Sequence, residues 1–311
     1  MRSLILTALM ALALGAQAQS QPGYYTDSDV RERSLSIAPF VQANTVFRRT
    51  VGEVVESRHP QFAVGDKVVG MGGWQTYSVV DADVPAMLRK VDTTHVPISH
   101  FLGAVGMPGF TAWHGLVRII NPKAGQTLTV SAASGAVGSA FGALAKARGC
   151  RVVGFAGGKD KCDYVVKELG FDACIDYKEH SDYQSLSKAI KDACPNGIDG
   201  HFENVGGMVL DAVMLRTNAF ARIAVCGMIA GYDGAPLPMA NPALILVNRM
   251  KIEGFIVSEH MEVWPEALQE LGTLVGTGKL RPRETVAKGL AAAPEAFLGL
   301  LKGKNFGKQL V

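Results

Sequence analysis

Apolar residues change their spacing about a third of the way along the chain. Between residues 50 and 81 they alternate with polar residues in short stretches such as TVGEVVES. Turn signals, among them Gly65-Asp66 and Pro60, separate these stretches. Short alternating runs bounded by turn residues are typical of closely spaced strands. We therefore predict a small β-barrel or sandwich in this part of the chain.

After about residue 107 short apolar runs alternate with longer stretches that have a helical pattern. The predicted strands are 127–130, 151–156, 173–177 and later runs within 197–207, 222–228, 251–257 and 306–311. Three of the predicted helices between them are 137–148, 160–169 and 183–194. Strands that alternate with helices indicate βαβ units and a parallel sheet. The fold class predicted for this part is therefore α/β, with a doubly wound parallel sheet.

The first eighteen residues follow the order of a secretory signal. Arg2 precedes an unbroken apolar run from Leu4 to Leu14, and Ala16-Gln17-Ala18 resembles a small-x-small cleavage site. The apolar run is too short to span a bilayer. We expect residues 1–18 to be a signal-like segment, and no later segment reads as a membrane span.

Composition narrows the possible partners. The chain has 311 residues, is 48% hydrophobic and carries a net charge of +3. Charge this mild and evenly spread predicts neither nucleic acid nor an anionic membrane surface as a partner. The five cysteines are widely spaced and form no CxxC pair, which argues against a disulfide framework and against a structural zinc site. No metal is expected.

A glycine-rich loop, SAASGAVGSAFG, follows the strand predicted at 127–130 and opens the next predicted helix. It reads Ala133-x-Gly135-x-x-Gly138, with Ala in place of the usual first glycine. A strand–loop–helix context is what a dinucleotide phosphate loop requires, because the helix N-terminus offers free N–H groups. The alternative is a helix that begins with small residues and binds no ligand.

The end of the second strand of this unit lacks an acidic residue. NAD-binding units usually place Asp or Glu there for the ribose 2′-hydroxyl, whereas this chain reads GFAGGKDKC. Lys159 and Lys161 instead lie at the start of a helix, where the dipole disfavours cations. A 2′-phosphate would supply the missing anion, so the pattern favours NADP(H). Two solvated surface lysines are the alternative interpretation.

From about residue 50 to the end, the chain resembles the zinc-independent medium-chain dehydrogenases/reductases. The segments that carry the resemblance include LGAVGMPGFTAWHGL, FENVGG, CGMIAGY and APEAFLGLLKGKNFGKQLV. Within that family it is similar to the NADP-dependent alkenal/enone reductases, the group of curcumin reductases and leukotriene B4 12-hydroxydehydrogenase/prostaglandin reductases. The resemblance implies a GroES-like β-barrel catalytic domain beside a Rossmann domain, a homodimer, and NADPH-dependent reduction of α,β-unsaturated ketones and aldehydes.

The resemblance also implies site residues. Met107 and Thr111 would lie near the nicotinamide, and Lys161 would meet the 2′-phosphate with Tyr177 nearby. Asn204 and Asn305 would frame the ribose and nicotinamide, and Tyr232 would reach towards the substrate. The loop that would hold the pyrophosphate comprises Ala133, Ser134, Gly135, Ala136, Val137 and Gly138. Gly158, Cys226 and Gly227 are assigned to the cofactor site as well.

Enone reduction needs a donor for the negative charge that develops on the carbonyl oxygen. A tyrosine hydroxyl or the ribose hydroxyl of the cofactor can serve, and the α-carbon then takes a proton from tyrosine or from water. Two assignments have structural alternatives. Tyr232 can be a turn residue that packs on the barrel, and Asn305 can cap the preceding helix.

The N-terminal part departs from the family pattern. Asp27–Ser34 matches a family segment, but Asp29 stands where the family has a substrate-side tyrosine, and the family's first strands are replaced by the signal-like stretch. The catalytic domain is therefore predicted to be N-terminally incomplete. Alternatives to an enone reductase are a quinone reductase and a catalytically impaired NADPH-binding remnant. A secretory signal conflicts with an NADPH site, because NADPH is scarce outside the cytoplasm. Either an export signal is fused to a decayed reductase, or the start belongs to a mis-assigned or fused segment ahead of a cytosolic reductase. The complete cofactor motifs favour a cytoplasmic reductase.

The predicted domain organisation follows from these patterns. It comprises a signal-like segment at 1–18, a partial catalytic domain at 19–106, an NADP-binding domain at 107–282 and a C-terminal return to the catalytic domain at 283–311.

Overall fold

A computed structural model describes residues 49–84, 88–232, 234 and 236–311. The signal-like segment at 1–18 and the family match at Asp27–Ser34 lie outside the described residues. Within the described ranges no helix has both the length and the apolar character that a membrane crossing requires. The chain divides into two compact units.

The first unit contains a three-stranded antiparallel sheet in the order β1-β2-β3. Its strands are β1 (Thr50–Glu53), β2 (Lys67–Gly70) and β3 (Leu88–Lys90). Strand β2 lies in the centre and is the most buried of the three, because Val68 and Val69 are both covered. Strands expected from the alternation are thus present in this sheet, whereas a closed barrel or sandwich stays a prediction. Where the strand-like pattern continues, residues 74–77 form bends and residues 78–80 have no regular secondary structure.

The second unit is built on a six-stranded parallel sheet in the order β6-β5-β4-β7-β8-β9. Its strands are β4 (Thr127–Val130), β5 (Arg151–Ala156), β6 (Ala173–Asp176), β7 (Ile198–Glu203), β8 (Thr217–Val225) and β9 (Lys251–Gly254). The strand order reverses between β4 and β7, which makes this a doubly wound Rossmann-type sheet. The predicted α/β class is confirmed.

Helices lie before the sheet, between its strands and after its last strand along the chain. They are α1 (Met107–His114), α2 (Ala136–Ala147), α3 (Lys159–Lys167), α4 (Tyr183–Ala193), α5 (Met208–Met214), α6 (Ala243–Val247), α7 (Trp264–Gly276) and α8 (Ala293–Leu301). One π-helical turn, Gly115–Ile120, continues α1. Two short strands, β10 (Glu284–Val286) and β11 (Lys308–Leu310), pair near the C-terminus.

Small residues in α2 bring this helix close to the chain beneath it. Phe141 and Leu144 are fully buried in the main core, whereas Gly142 faces the ring of Phe171. A Cβ atom at Gly142 would lie 1.9 Å from that ring, so no larger residue fits without displacement. The Gly- and Ala-rich composition of α2 is therefore a packing requirement as well as a helix start.

The contacts group Gly103–Thr285 and Gly303–Lys308 as the unit that contains the parallel sheet. The other unit takes the described residues before Gly103 together with Val286–Lys302 and Gln309–Val311. A segment near the C-terminus thus returns to the parallel-sheet unit. The division into domains at 106/107 and 282/283 stays a prediction.

Candidate functional site

The residues predicted to bind the cofactor follow the carboxyl ends of successive parallel strands. The glycine loop follows β4, Gly157-Gly158 follows β5 and Tyr177 follows β6. Asn204 follows β7, and Cys226-Gly227 follows β8. Because the strands are parallel, these five positions lie along one edge of the sheet. Ligands of doubly wound sheets bind at this edge, near the point where the strand order reverses.

The glycine loop leaves the N-terminus of α2 open. Gly135 is the N-cap residue in extended conformation, and no side chain caps the helix. The first N–H groups of a helix have no acceptor within the helix, so an anion can accept from them. A Cβ atom at Gly138 would lie 2.4 Å from the carbonyl oxygen of Ala132, so the loop can close this tightly only on glycine. The donors and the space fit a pyrophosphate.

Backbone hydrogen bonds fix the shape of the loop. The N–H of Ala133 donates to the carbonyl of Phe155 over 2.9 Å, and Ala133 is fully buried. The N–H of Gly307 donates to the carbonyl of Ser134 over 3.0 Å, and Gly307 also forms a parallel bridge with Gly135. The C-terminal segment is therefore part of the loop's support. Sequence reasoning assigned Asn305 to the site but missed Gly307.

Asn204 is held by its neighbours at the end of β7. Its side-chain amide donates to the backbone carbonyl of Ser131 over 2.8 Å, and its backbone N–H donates to the Ser131 hydroxyl over 2.7 Å. Cys226 donates its thiol to Oδ1 of Asn204 over 3.1 Å. Burial, together with the charge of Glu203, raises the pKa of the Cys226 thiol to about 12, so the thiol stays protonated as a donor.

A buried polar network lies directly behind Asn204. Glu203 accepts hydrogen bonds from the Ser131 hydroxyl over 2.5 Å and from the backbone N–H groups of Val205 and Gly206. Its second oxygen lies 3.0 Å from Nε2 of His201. Glu203 and His201 are both fully buried. The whole network is thus out of contact with solvent at this end of the sheet.

Glu203 is a carboxylate in spite of its burial. Burial by itself raises the pKa of Glu203, but the hydrogen bonds from His201, Ser131 and Val205 bring it below the usual value. Because a carboxylate only accepts, Nε2 of His201 carries the proton that lies towards Glu203, and Nδ1 lies 2.8 Å from the Thr129 hydroxyl. Sequence reasoning missed this network, since a hidden Glu and His give no pattern of their own.

Tyr232 and Asn204 meet at Gly227. A Cβ atom at Gly227 would lie 3.4 Å from the Tyr232 hydroxyl and 3.2 Å from the backbone oxygen of Asn204. Tyr232 follows a 3₁₀ turn, Ile229–Gly231, and 63% of it is exposed to solvent. The side chain lies at the sheet edge with its hydroxyl directed to the end of β8.

The lysines after β5 have different surroundings. Lys159 pairs with Asp163 one helical turn along, and Asp163 also pairs with Lys167. Lys161 donates to the backbone carbonyl of Gly303 over 2.6 Å. Burial, with a smaller contribution from Lys178, lowers the pKa of Lys161. The structure therefore distinguishes Lys161 from Lys159, and it adds Lys178, which sequence reasoning did not single out.

The remaining predicted residues lie in α1 and in the C-terminal segment. Met107 is the first residue of α1, and the Thr111 hydroxyl donates to the Met107 carbonyl over 2.9 Å. Thr111 can thus offer only an acceptor to a ligand. The side chain of Asn305 donates to the carbonyl of Gly307 over 2.8 Å, so it shapes the turn that supports the loop. The end of α8 is capped by backbone N–H of Lys302.

Metal-binding side chains do not gather within the part of the chain that the structure describes, where no group of three or more His, Cys, Asp or Glu is close enough to hold an ion. The arrangement offers anion-binding backbone, two lysines, and a tyrosine hydroxyl beside an amide. It can hold a phosphorylated dinucleotide and donate a hydrogen bond or a proton next to it.

Comparisons with known proteins agree with this geometry. A family model described as zinc-binding dehydrogenase matches residues 136–273, and one described as N-terminal domain of oxidoreductase matches residues 25–89. An NADPH-dependent curcumin reductase of Escherichia coli (strain K12) is 44% identical over 269 residues, which cover 84% of this chain and 76% of that protein. A 2-alkenal reductase (NADP(+)-dependent) of Nicotiana tabacum is 42% identical over 276 residues, which cover 88% of this chain and 79% of that protein.

A solved structure is similar as well. The crystal structure of CurA in complex with NADPH from Vibrio vulnificus superposes with a TM-score of 0.77 at 42% sequence identity. The match covers 84% of this chain and 78% of that one.

Proposed function

Because the chain belongs to the medium-chain dehydrogenase/reductase family, in its group of NADP-dependent alkenal/enone reductases, we propose that it reduces the C=C bond of α,β-unsaturated ketones and aldehydes with NADPH. The observation that carries the proposal is the uncapped N-terminus of α2 beside a strand end that has lysines and no acid. This combination suits a pyrophosphate and a 2′-phosphate together.

The residues that would hold NADPH come from both sides of the strand reversal. The loop from Ala133 to Gly138 would take the pyrophosphate through backbone N–H groups. Lys161 and Tyr177, at the ends of β5 and β6, would face the 2′-phosphate. Asn204, at the end of β7, would face the ribose and nicotinamide half. The dinucleotide would therefore lie across the carboxyl edge of the sheet.

When bound, NADPH supplies a hydride for the β-carbon of the unsaturated substrate. The chain's own contribution is to stabilise the negative charge on the carbonyl oxygen. The exposed Tyr232 hydroxyl can donate a hydrogen bond to that oxygen, which lowers the energy of the enolate. The α-carbon then takes a proton from the Tyr232 hydroxyl or from water. No step in this scheme needs a metal ligand.

Asn204 would hold the ribose and nicotinamide of NADPH in a fixed position relative to the substrate. Hydrogen bonds from its side chain to Ser131 and from Cys226 leave the amide a single orientation. A side chain fixed before the ligand arrives does not lose rotamer freedom on binding. The buried network of Glu203 and His201 therefore serves the site by holding Asn204 and the turn that follows it.

The test is NADPH consumption by the purified protein without residues 1–18. A panel of enones, 2-alkenals and quinones is assayed at 340 nm, with NADH in place of NADPH as the control for cofactor choice. Turnover of enones with NADPH and little with NADH supports the proposal. Turnover of quinones alone would assign a quinone reductase. Binding of NADPH without turnover of any acceptor would indicate an impaired remnant.

We also propose that the protein is a homodimer and that it acts in the cytoplasm. Strand β9 is an edge strand of the parallel sheet. Apolar side chains on both sides of it are exposed, namely Leu246 (81%), Val247 (62%) and Ile256 (60%). A second copy would cover this surface and the open strand edge. Light scattering on the wild type and on Leu246→Glu tests the dimer. A cytoplasmic location is supported by the supply of NADPH there.

A further inference from the structure

We propose that Lys178 is a second cation for the 2′-phosphate of NADPH and thereby a determinant of NADPH over NADH. The inference rests on the proposed NADPH function and concerns one residue of its adenosine end. It differs from the assignment of Lys161, which follows from the resemblance to the family. Lys178 lies in the 3₁₀ turn Tyr177–Glu179, which follows β6, and has no motif around it.

Position is the first argument. A Cβ atom at Gly157 would lie 2.8 Å from Cε of Lys178 and 3.0 Å from the Tyr177 hydroxyl. The lysine side chain thus lies back along the end of β5, over the backbone of Gly157. Replacing this glycine would push the Lys178 stem away. The absence of a side chain at Gly157 is therefore what lets Lys178 reach the glycine turn where the acid of an NAD site would stand.

Charge is the second argument. Among the described residues, neither Lys161 nor Lys178 has a carboxylate within ion-pair distance, whereas Lys159 on the same helix is paired with Asp163. Lys161 and Lys178 repel each other, and this repulsion adds to burial in lowering the pKa of Lys161. Two cations held together without a counter-ion are stabilised by a shared dianion, which a 2′-phosphate provides.

Space is the third argument. Gly158 has φ of 100°, and nothing lies within 4 Å of the position where its Cβ would be. The N-terminus of α3 begins at the next residue and has no side-chain cap. An anion placed above Gly158 would therefore meet free N–H groups of a nine-residue helix in addition to the two ammonium groups.

The experiment measures binding rather than turnover. Isothermal titration with 2′,5′-ADP and with 5′-AMP, which lacks the 2′-phosphate, is carried out on the wild type, Lys178→Met and Lys159→Met. Methionine keeps most of the apolar stem and removes the charge. We expect Lys178→Met to weaken 2′,5′-ADP about three- to tenfold, the size of one partly exposed ionic contact, and to leave 5′-AMP unchanged. Lys159→Met should change either probe less than twofold, and Lys178→Arg should restore 2′,5′-ADP.

The outcomes separate the two proposals. A wild type that binds 2′,5′-ADP no better than 5′-AMP would overturn the proposed NADPH preference and this inference with it. A wild type that prefers 2′,5′-ADP, with Lys178→Met unchanged, would overturn only the role of Lys178. Equal weakening of both probes would also overturn it, because Lys178 would then support the adenosine site instead of the phosphate. A smaller salt dependence of 2′,5′-ADP binding in Lys178→Met supports it.

Discussion

The Ser131 hydroxyl donates to Glu203 over 2.5 Å while it accepts the backbone N–H of Asn204 over 2.7 Å. One hydroxyl thus connects a fully buried carboxylate to the residue that faces the proposed ribose and nicotinamide. It joins the end of β4 to the end of β7, the two strands between which the order reverses. The position of Asn204 therefore depends on a carboxylate, Glu203, that is fully buried.

Replacing Glu203 by Gln should destabilise the protein and weaken NADPH binding. Both oxygens of Glu203 face N–H donors, namely those of Val205 and Gly206 on one side and that of His201 on the other. The amide nitrogen of Gln cannot accept, so in either orientation it would place a donor against a donor. We expect the free energy of unfolding to fall by about 2–4 kcal/mol, as when one partner of a buried ionic network is removed. Urea unfolding measures this change, and tryptophan fluorescence measures the Kd for NADPH.

The control is Glu266→Gln, which removes the same charge from an exposed pair with Arg118. Its free energy of unfolding should change by less than about 0.5 kcal/mol. A Glu203→Gln variant as stable as this control would show that the network does not hold the end of β7.

Replacing Gly138 by Ala should open the phosphate loop. The new Cβ would lie 2.4 Å from the oxygen of Ala132 and 2.8 Å from Cα of Ala133, both backbone atoms that cannot rotate away. We expect the Kd for NADPH to rise at least about tenfold, since the loop must move from the pyrophosphate N–H groups. Isothermal titration provides the measurement.

The matched control is Gly272→Ala in α7. Nothing lies within 4 Å of its Cβ position, and alanine favours the helix over glycine. This variant should gain about 0.5–1 kcal/mol in unfolding free energy and bind NADPH as the wild type does. Equal NADPH binding by both alanine variants would argue against a phosphate at the loop.

Replacing Tyr232 by Phe should reduce turnover more than binding. The variant removes one hydroxyl from an exposed ring at the end of β8, so the fold should be unaffected. We expect kcat for an enone to fall by about 10- to 100-fold, because a positioned donor is lost while water can still deliver the proton. The Kd for NADPH should stay within twofold.

Tyr183→Phe, at the start of α4, serves as the comparison and should keep full turnover. If Tyr232→Phe also kept full kcat, the ribose hydroxyl of the cofactor would remain as the donor.

The free energy of unfolding should decrease as the pH is lowered, because of His114. Its ring is buried and stacks on His260 with ring centres 4.1 Å apart. Burial, together with His260 and Arg118, lowers the pKa of His114 to about 4 from 6.5, against opposing contributions from Glu262 and Glu253. Between pH 6.5 and pH 4, His114 is protonated in the unfolded chain but stays neutral in the folded chain. The stabilisation is thus complete above about pH 6.5 and is lost as the pH falls towards 4.

For this one group the loss between pH 7 and pH 5 is about 2 kcal/mol. Urea unfolding of the wild type and of His114→Phe at both pH values measures it, since phenylalanine keeps the ring and cannot titrate. The variant should lose about 2 kcal/mol less than the wild type. Parallel losses in the two proteins would show that His114 is protonated in the folded state.

The parallel-sheet unit was predictable in detail, and its reason is local. Apolar runs at 127–130 and 151–156 coincide with β4 and β5, because buried parallel strands are apolar throughout and end at glycine or polar turns. The helix predicted at 137–148 begins one residue earlier, at Ala136, and ends at Ala147. The strand predicted within 222–228 begins earlier, at Thr217. The apolar pattern does not reveal this start, because the strand opens with two polar residues, Thr217 and Asn218, and its next two residues are exposed.

What the sequence did not reveal depends on contacts between distant residues. Lys178 reaches the site only because β6 pairs with β5, and Glu203 matters only because Ser131 lies beside it in the sheet. Lys159 and Lys161 look alike in the sequence, and what separates them in the structure is the contact of Lys161 with the distant Gly303. Motif spacing gives positions along the chain, whereas hydrogen-bond partners and charge neutralisation arise from the folded arrangement.

The bridge between Gly135 and Gly307 has a consequence for folding during translation. During synthesis the glycine loop leaves the ribosome long before Gly307 is translated, and domains begin to fold from their N-terminal side. During translation the loop therefore lacks, for a time, the segment around Gly307 that supports it. A nascent chain would acquire its nucleotide affinity late, when the C-terminal segment arrives and the carbonyl of Ser134 gains its partner.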